Sequence, residues 1–403
     1  MAEATNQARV LMYSHDTFGL GHLRRARAIA HALVEEYSNL SVLILSGSPL
    51  IGSFDFKARV DFIRVPGVIK LRNGAYTSLG LHIELDATMA LRASIMEHTA
   101  EVFAPDVFIV DKEPWGLRGE LKTTLPMLKK RGTQLVLGLR DVLDEATTLT
   151  EEWKRKDAFK ALPLYDEIWT YGQEGVYDPL AGLPLPKGTD EKIYFTGYLP
   201  RPLPEYTKPE VWPAITKSDY LVVTPGGGGD GAGLIDWVLS AYELGGKDLL
   251  PALIVYGPFL PPDIRAEFEI RAAKLSNIET LVFDARIEHF IAGATGIVAM
   301  GGYNTFCEIL THDRPALLVP RLIPRAEQSI RARRGELMGL CHTLIDPEEL
   351  GGGKRDPKVM ADALQILPRS PRPSAALSPG ALAGLSTICD RIEPHIPRAR
   401  RRV

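Results

Sequence analysis

The sequence predicts an α/β protein made of two doubly wound parallel-sheet domains in tandem. Three observations carry that expectation. Short apolar, β-branched runs recur in two series, separated by stretches of helical spacing or by loops, which is the pattern of parallel strands buried on both faces. A proline-dense stretch divides the two series. A glycine-rich turn follows the first apolar run of each series, as expected where a strand feeds the start of a helix.

The first series runs Arg9–Tyr13, Ser41–Leu45, Asp61–Val65, Val107–Val110, Gln134–Leu139 and Glu167–Tyr171, with Ile193–Thr196 closing it. The stretch LPRPLPEYTKPEVWP, Leu199 to Pro213, then carries five prolines in fifteen residues. Proline in that density stiffens a chain and denies it ladder hydrogen bonds, so this stretch reads as a linker. The second series is Tyr220–Thr224, Ala252–Tyr256, Thr280–Phe283, Gly296–Met300, Ala316–Val319 and Thr343–Ile345. The expected organisation is a first domain at 1–199, a linker at 200–213, a second domain at 214–370, and a C-terminal loop, weak helix near Ala381–Ile392 and basic tail over 371–403. A chain of 403 residues is too long for one ordinary core, which agrees with two domains. Sheets of this kind bind ligands beyond the carboxyl ends of their strands, so chemistry is expected in a cleft there.

Composition excludes more than it assigns. With 45% hydrophobic and 24% charged residues and a formal net charge of -3, the chain has no global signature of nucleic-acid binding. Cys307, Cys341 and Cys389 lie far apart without zinc-type spacing, which suits a reducing compartment. The N-terminus lacks the plan of a signal peptide, and no segment approaches the roughly 18 apolar residues that span a bilayer. The expected location is the cytoplasm. Arg398, Arg400, Arg401 and Arg402 form a short tail, expected to be solvated rather than lipid-bound.

Three stretches carry the candidate chemistry. DTFGLGHLRRARAIA, from Asp16, places Gly19 and Gly21 before a helix that begins near His22, with Leu23, Ala26, Ala30, Leu33 and Val34 at helical spacing. A helix N-terminus presents free N–H groups and partial positive charge, which binds anions and disfavours a protonated imidazole. His22 is therefore a candidate base, with His15 and Asp16 on the same loop to orient it; a capping or packing histidine is the plainer alternative. TPGGGGDGAGL, Thr224 to Leu234, places Gly226, Gly227, Gly228 and Gly229 directly after a strand, where bare N–H groups can cradle a phosphate. No Gly-Lys-Ser/Thr follows, so this is not a Walker loop. MGGYNTFCEILTHDRPALLVP, Met300 to Pro320, gives Gly301, Gly302, Asn304 and Thr305 at a helix start, with Glu308 about one turn on to accept ribose hydroxyls or to cap the helix. Gln328, in PRAEQSIRARR, has the donor and acceptor suited to a sugar hydroxyl.

Together these stretches resemble the GT-B nucleotide-sugar glycosyltransferases, and most closely the family 28-like group that includes the bacterial peptidoglycan N-acetylglucosaminyltransferase. The resemblance implies a GT-B fold, with two Rossmann-like domains facing across a cleft. It implies that Gly226–Gly229, Gly302, Asn304 and Thr305 hold a diphosphate, Glu308 the ribose, Gln328 the donor sugar, and Phe283, Asp284 and Arg286 surround the base. It further implies an inverting, metal-independent transfer from a UDP-sugar to an acceptor hydroxyl, with His22 as base and no cofactor beyond the substrates. The first stretch, as Gly19, Gly21, His22 and Arg25, also resembles the UDP-sugar hydrolases of pseudaminic acid synthesis, in which water is the nucleophile. Acceptor-side candidates are Gly19, Gly21, Arg25, Asp111, Lys112, Glu113, Arg140 and Asp141, the last five at strand ends where ordinary salt bridging is the alternative. The implied partners are a UDP-sugar and a glycan or lipid-linked acceptor of the cell envelope, with no nucleic acid. The loop Leu71 to Leu85 is the candidate for peripheral contact with the inner face of a membrane. RLIPRAEQ stands where the peptidoglycan enzyme has a His-Lys-Asp-containing loop, so donor sugar and acceptor stay open. A UDP-sugar hydrolase and a non-catalytic nucleotide-sugar binding protein remain alternatives. A 2-epimerase is less favoured, because its paired acidic and arginine sites are not evident.

Overall fold

The computed structural model describes residues 7–15, 21–70, 76–203, 208, 209, 211–227, 229–397 and 399–402. Asp16, Gly19 and Gly228 lie outside the described residues, as do Arg398 and residues 71–75 of the membrane-facing candidate loop. The chain forms two compact units, one from residues up to Leu199 together with Ala383 onward, the other from Pro200 to Leu382.

The first unit contains β1 (Ala8–Ser14), α1 (Gly21–Glu36), β2 (Leu40–Ser46), β3 (Val60–Arg64), β4 (Val68–Lys70), β5 (Tyr76–Ser78), α2 (Leu85–Phe103), β6 (Val107–Asp111), α3 (Thr124–Lys130), β7 (Gln134–Arg140), α4 (Ala146–Arg155), β8 (Glu167–Tyr171) and β9 (Ile193–Phe195). Seven parallel strands pair in the order β3-β2-β1-β6-β7-β8-β9. Every residue of β6 is buried, as its unbroken VFIV run requires of a central strand covered on both faces. α1 buries Leu23, Ala26, Ile29, Ala30, Leu33 and Val34, the stripe its spacing predicts. Burying each large aliphatic side chain contributes about 1.5–3 kcal/mol. The antiparallel pair β4 and β5 was not legible, because three residues per strand are too few to show a period.

The second unit contains β10 (Leu221–Thr224), α5 (Ala232–Gly245), β11 (Ala252–Val255), α6 (Pro262–Ala272), β12 (Ile278–Leu281), α7 (Glu288–Gly293), β13 (Gly296–Ala299), α8 (Tyr303–His312), β14 (Ala316–Leu318), α9 (Glu327–Leu337), β15 (His342–Thr343) and α10 (Pro357–Ile366). Its sheet runs β12-β11-β10-β13-β14-β15. Both sheets therefore grow outward for three strands and then return to the far side of the first. The reversal falls between β1 and β6 in one unit and between β10 and β13 in the other, which is where such sheets open a crevice.

The described part of the linker belongs to the second unit. Arg201 is buried, donating from its backbone N–H to Thr311 Oγ1 at 3.0 Å and from Nη2 to Asn304 Oδ1 at 2.8 Å. The C-terminal helix α11 (Gly384–Ile392) packs on the first unit, where Gly384 cannot carry a side chain: a Cβ there would sit 2.6 Å from the carbonyl oxygens of Gly197 and Tyr198. The described arginines of the basic tail are exposed, and they are also tied down by surface contacts. Arg401 binds Asp390 at 2.7 Å, Glu393 at 3.1 Å and also Glu36, while the Arg400 carbonyl accepts the Ser38 N–H at 2.8 Å. Among the described residues no helix is long and apolar enough to cross a membrane.

A buried ion pair braces the first sheet against α2. Arg92 donates Nε to Glu120 Oε2 at 2.6 Å and Nη2 to Oε1 at 2.9 Å, and the Tyr13 hydroxyl donates to Oε1 at 2.7 Å. Both charged side chains are at most 1% exposed. Glu120→Ala removes the counter-ion of a buried guanidinium, and is expected to cost about 3–5 kcal/mol, read as a lower urea midpoint. A midpoint unchanged from wild type would contradict this.

Candidate functional site

The first unit's site is built at the carboxyl ends of β1 and β6. β1 delivers His15, α1 starts at Gly21, and His22 is that helix's second residue. Asp111 is the last residue of the neighbouring strand β6 and is 6% exposed. Its Oδ2 meets His22 Nδ1. Arg25, one turn into α1 and 2% exposed, grips the same carboxylate, Nε to Oδ1 at 2.9 Å and Nη2 to Oδ1 and Oδ2 at 2.6 and 2.8 Å. Because an ionised carboxylate only accepts, the hydrogen-bond pattern assigns the imidazole proton to Nδ1. Nε2 then carries the lone pair.

Electrostatics hold this arrangement in one protonation state. Burial, opposed by Asp111, lowers the His22 pKa from 6.5 to about 4, and Arg25 and Lys112 push in the same direction as burial. The helix N-terminus acts the same way. Burial raises the Asp111 carboxyl, but Arg25 and then His22 outweigh it and bring it to about 2. The pair is thus neutral imidazole on carboxylate at ordinary pH. Beyond Asp111 the chain turns sharply through Lys112, whose φ of 68° is left-handed, and the Glu113 N–H bonds back to the Asp111 carbonyl at 2.9 Å. Such a residue stores about 1–3 kcal/mol of strain, a cost met most often at functional sites.

Of the sequence candidates on this side, His22, Arg25 and Asp111 are bonded to one another, with Gly21 opening the helix that carries them. Glu113 instead takes Lys156 on both oxygens at 2.9 Å, with Lys112 at 3.8 Å from Oε1. Arg140 ends β7, the next strand, and Asp141 accepts the Val142 N–H at 2.8 Å. His15 and Asp16 were expected to orient His22 and Asp111 to lie on the acceptor side; Asp16 lies outside the described residues. Asp111 is the residue bonded to the imidazole. The topology held the signal: the first and fourth strands of a doubly wound sheet are neighbours, so their carboxyl-end residues meet.

The second unit gathers its candidates along one edge. β10 and β13 pair in parallel with Thr224 opposite Ala299, so the turn after Thr224 and the turn at Gly301–Gly302 leave side by side. Gly226 has φ +84° and donates its N–H to Thr224 Oγ1 at 3.1 Å. Gly257, at φ +86°, passes beneath: a Cβ there would lie 2.6 Å from the carbonyl oxygens of Gly226 and Gly227. The Phe259 N–H bonds the Gly227 carbonyl at 3.0 Å, and the turn continues through Gly229 and Asp230 to Gly231, the N-cap of α5. Gly302 is the N-cap of α8, Asn304 and Thr305 are buried in its first turn, and Glu308, 1% exposed, is one turn further on. Asn304 Oδ1 is occupied by Arg201.

Gln328 is the second residue of α9 and accepts the Arg321 N–H on Oε1 at 3.2 Å. Arg331 from the same helix donates Nη1 to the Gly301 carbonyl at 2.9 Å. Arg321, which sequence reasoning passed over, links Asp230 beyond the glycine run to Glu327 at 3.1 Å. Phe283 and Arg286 follow β12, two strands from β10, half-buried, with the Arg286 N–H on Asp284 Oδ1 at 2.7 Å. Two helix N-termini, of α5 and α8, thus open at adjacent strand ends, the arrangement that favours anions. No group of three or more His, Cys, Asp or Glu side chains suited to a metal occurs among the described residues.

The fold is that of the GT-B glycosyltransferases. No protein-family model matches the chain, and no curated sequence matches it. Among solved structures it is similar to a glycosyltransferase of kitacinnamycin, with TM-score 0.63 and 13% identity over 97% of this chain and 100% of that one. The calicheamicin glycosyltransferase CalG4 superposes with TM-score 0.59 and 13% identity over 97% and 99%. MurG of Acinetobacter baumannii does so with TM-score 0.54 and 13% identity over 97% and 99%.

The pKa shifts fix a pH dependence. The His22 imidazole, neutral in the fold and ordinarily titrating at 6.5, contributes stability that is complete above pH 6.5 and is lost as pH falls through about 4. Asp111 contributes above its ordinary 3.8, and that contribution is lost as pH falls towards about 2. In a histidine NMR titration the His22 resonance is expected to move near pH 4, and lower still in Asp111→Asn, which lacks the raising charge. A midpoint near 6.5 in wild type would contradict the geometry.

Proposed function

We propose that this chain is a glycosyltransferase that moves a sugar from a UDP-sugar to an acceptor hydroxyl, with inversion and without a metal ion. The observation that carries the reading is the His22–Asp111 pair, a neutral imidazole oriented by a buried carboxylate at the carboxyl edge of a parallel sheet. In the proposed step, His22 Nε2 takes the proton of the acceptor hydroxyl as its oxygen forms a bond to the anomeric carbon. The bond from that carbon to the diphosphate breaks, and its electron pair leaves on the UDP oxygen. Asp111 stays ionised and stabilises the imidazolium that forms, as the carboxylate does in a serine protease triad.

The leaving diphosphate is assigned to the second unit. The N–H groups of Gly227 and Gly229 and of the first turn of α8 are assigned as preorganised donors, which stabilise developing negative charge without proton exchange. Glu308 is assigned to the ribose and Gln328 to the donor sugar. One similar structure, a glycosyltransferase of Phytolacca americana, is described as complexed with UDP-2fluoro-glucose and pterostilbene, and it shares 13% identity with TM-score 0.61. That supports a nucleotide-sugar donor here.

His22→Ala is expected to lower turnover by about 10²–10⁴-fold, while UDP affinity measured by calorimetry stays at the wild-type value. Undiminished turnover would remove the assigned base. Dialysis against EDTA is expected to leave turnover unchanged; a loss restored by magnesium would overturn the metal-free part of the reading. UDP release that needs no acceptor would assign hydrolysis, and binding of UDP-sugars without release would assign a binding protein.

A further inference from the structure

His15 is not used by the mechanism above, yet it stands beside it. It follows β1 directly, is 3% exposed, and meets His22 edge to face, with ring centroids 5.1 Å apart and planes at 84°. Its Nδ1 is buried and bonded to no partner among the described residues. A buried polar atom without a partner costs about 1–3 kcal/mol, so its retention beside the candidate base calls for a functional explanation. Burial, reinforced by nearby Lys112, holds the His15 pKa well below its ordinary value, so this ring is uncharged.

The surroundings decide what kind of group completes it. The cations around the pair already face carboxylates: Arg25 on Asp111, Lys112 at 3.8 Å from Glu113, and Lys156 on Glu113 at 2.9 Å and Glu152 at 2.6 Å. Charge here is balanced locally. What is left over is a neutral imidazole nitrogen, whose complement is a neutral hydrogen-bonding group, since a charged one would be buried without a counter-ion.

We propose that His15 is an acceptor-binding residue, whose Nδ1 hydrogen-bonds a second hydroxyl of a neutral, polyhydroxylated acceptor while His22 faces the attacking one. The inference rests on the reading of His22 as the base, and it narrows the acceptor class to pyranosides or similar polyols rather than flat, single-hydroxyl compounds.

The test compares wild type, His15→Phe and His15→Asn. Phenylalanine keeps an aromatic ring against His22 but has no nitrogen; asparagine keeps a polar group near the Nδ1 position without the ring. With a panel of UDP-hexoses as donors, methyl pyranosides and 4-nitrophenol are offered as acceptors. Wild type is expected to transfer to a pyranoside. His15→Phe is expected to raise the acceptor KM about tenfold, as loss of one buried hydrogen bond implies, and His15→Asn to recover most of it. UDP affinity, whose groups are assigned to the second unit, should not change in either variant. In ¹⁵N-histidine NMR of the wild type, the His15 Nδ1 resonance should shift on adding the pyranoside, a readout that stands even if His15→Phe does not fold.

An unchanged KM in His15→Phe, an unmoved Nδ1 resonance, or transfer to 4-nitrophenol with none to any pyranoside would overturn the proposal. Failure of wild type to bind UDP would instead sink the glycosyltransferase reading itself.

Discussion

The contact on which the first unit's chemistry depends is that of Asp111 with His22 and Arg25. One carboxylate fixes the imidazole through Nδ1 and is itself held by a guanidinium that donates three times. Each member limits the others. Without Arg25, burial would drive the carboxyl towards its neutral form; without the carboxylate, the imidazole would lose its orientation. Burial keeps the proton off His22, and Asp111 keeps it from falling further, so the ring is basic enough to accept a proton yet unprotonated beforehand. None of this would be possible if β1 and β6 were not adjacent, and their adjacency follows from the strand order.

The second unit solves a different electrostatic problem with main chain. Bare turns and helix starts concentrate N–H groups at the ends of β10 and β13, and the side chains around them serve to hold that backbone still. Gly257 lets the chain after β11 lie against the carbonyls of Gly226 and Gly227. Arg331 ties α9 to Gly301, and Arg321 ties the following loop to Asp230 and Glu327. Arg201, arriving from the linker, secures both the first and the last turn of α8 through Asn304 and Thr311. Preorganised donors of this kind need no rearrangement when charge develops.

The fold was legible because buried parallel strands write themselves as short apolar runs. All thirteen runs identified in the sequence overlap strands, two of them displaced: β12 lies at Ile278–Leu281, where it pairs with Ala252–Val255, and β15 at His342–Thr343 shares only Thr343 with its run. Glycine turns were legible for the same reason, since a missing side chain is visible in the sequence. Partnerships were less so. Asp111 is 89 residues from His22, and nothing local distinguishes it from a strand-end salt bridge until the sheet order is applied. Arg401 is exposed, as a solvated tail implies, but its partners Glu36, Asp390 and Glu393 were not legible because they come together only in the folded unit. Arg201 lay in a stretch whose prolines spoke of a spacer, though its side chain is buried.

The central claim is that His22 acts as a neutral base poised by Asp111, and the pH dependence of kcat/KM for transfer tests it most directly. The account predicts a plateau through neutral pH with an acid limb of apparent pKa near 4, matching the value to which burial brings His22. The same limb should vanish in His22→Ala together with most of the rate. An acid limb near 6.5, or a limb that survives removal of the imidazole, would contradict it.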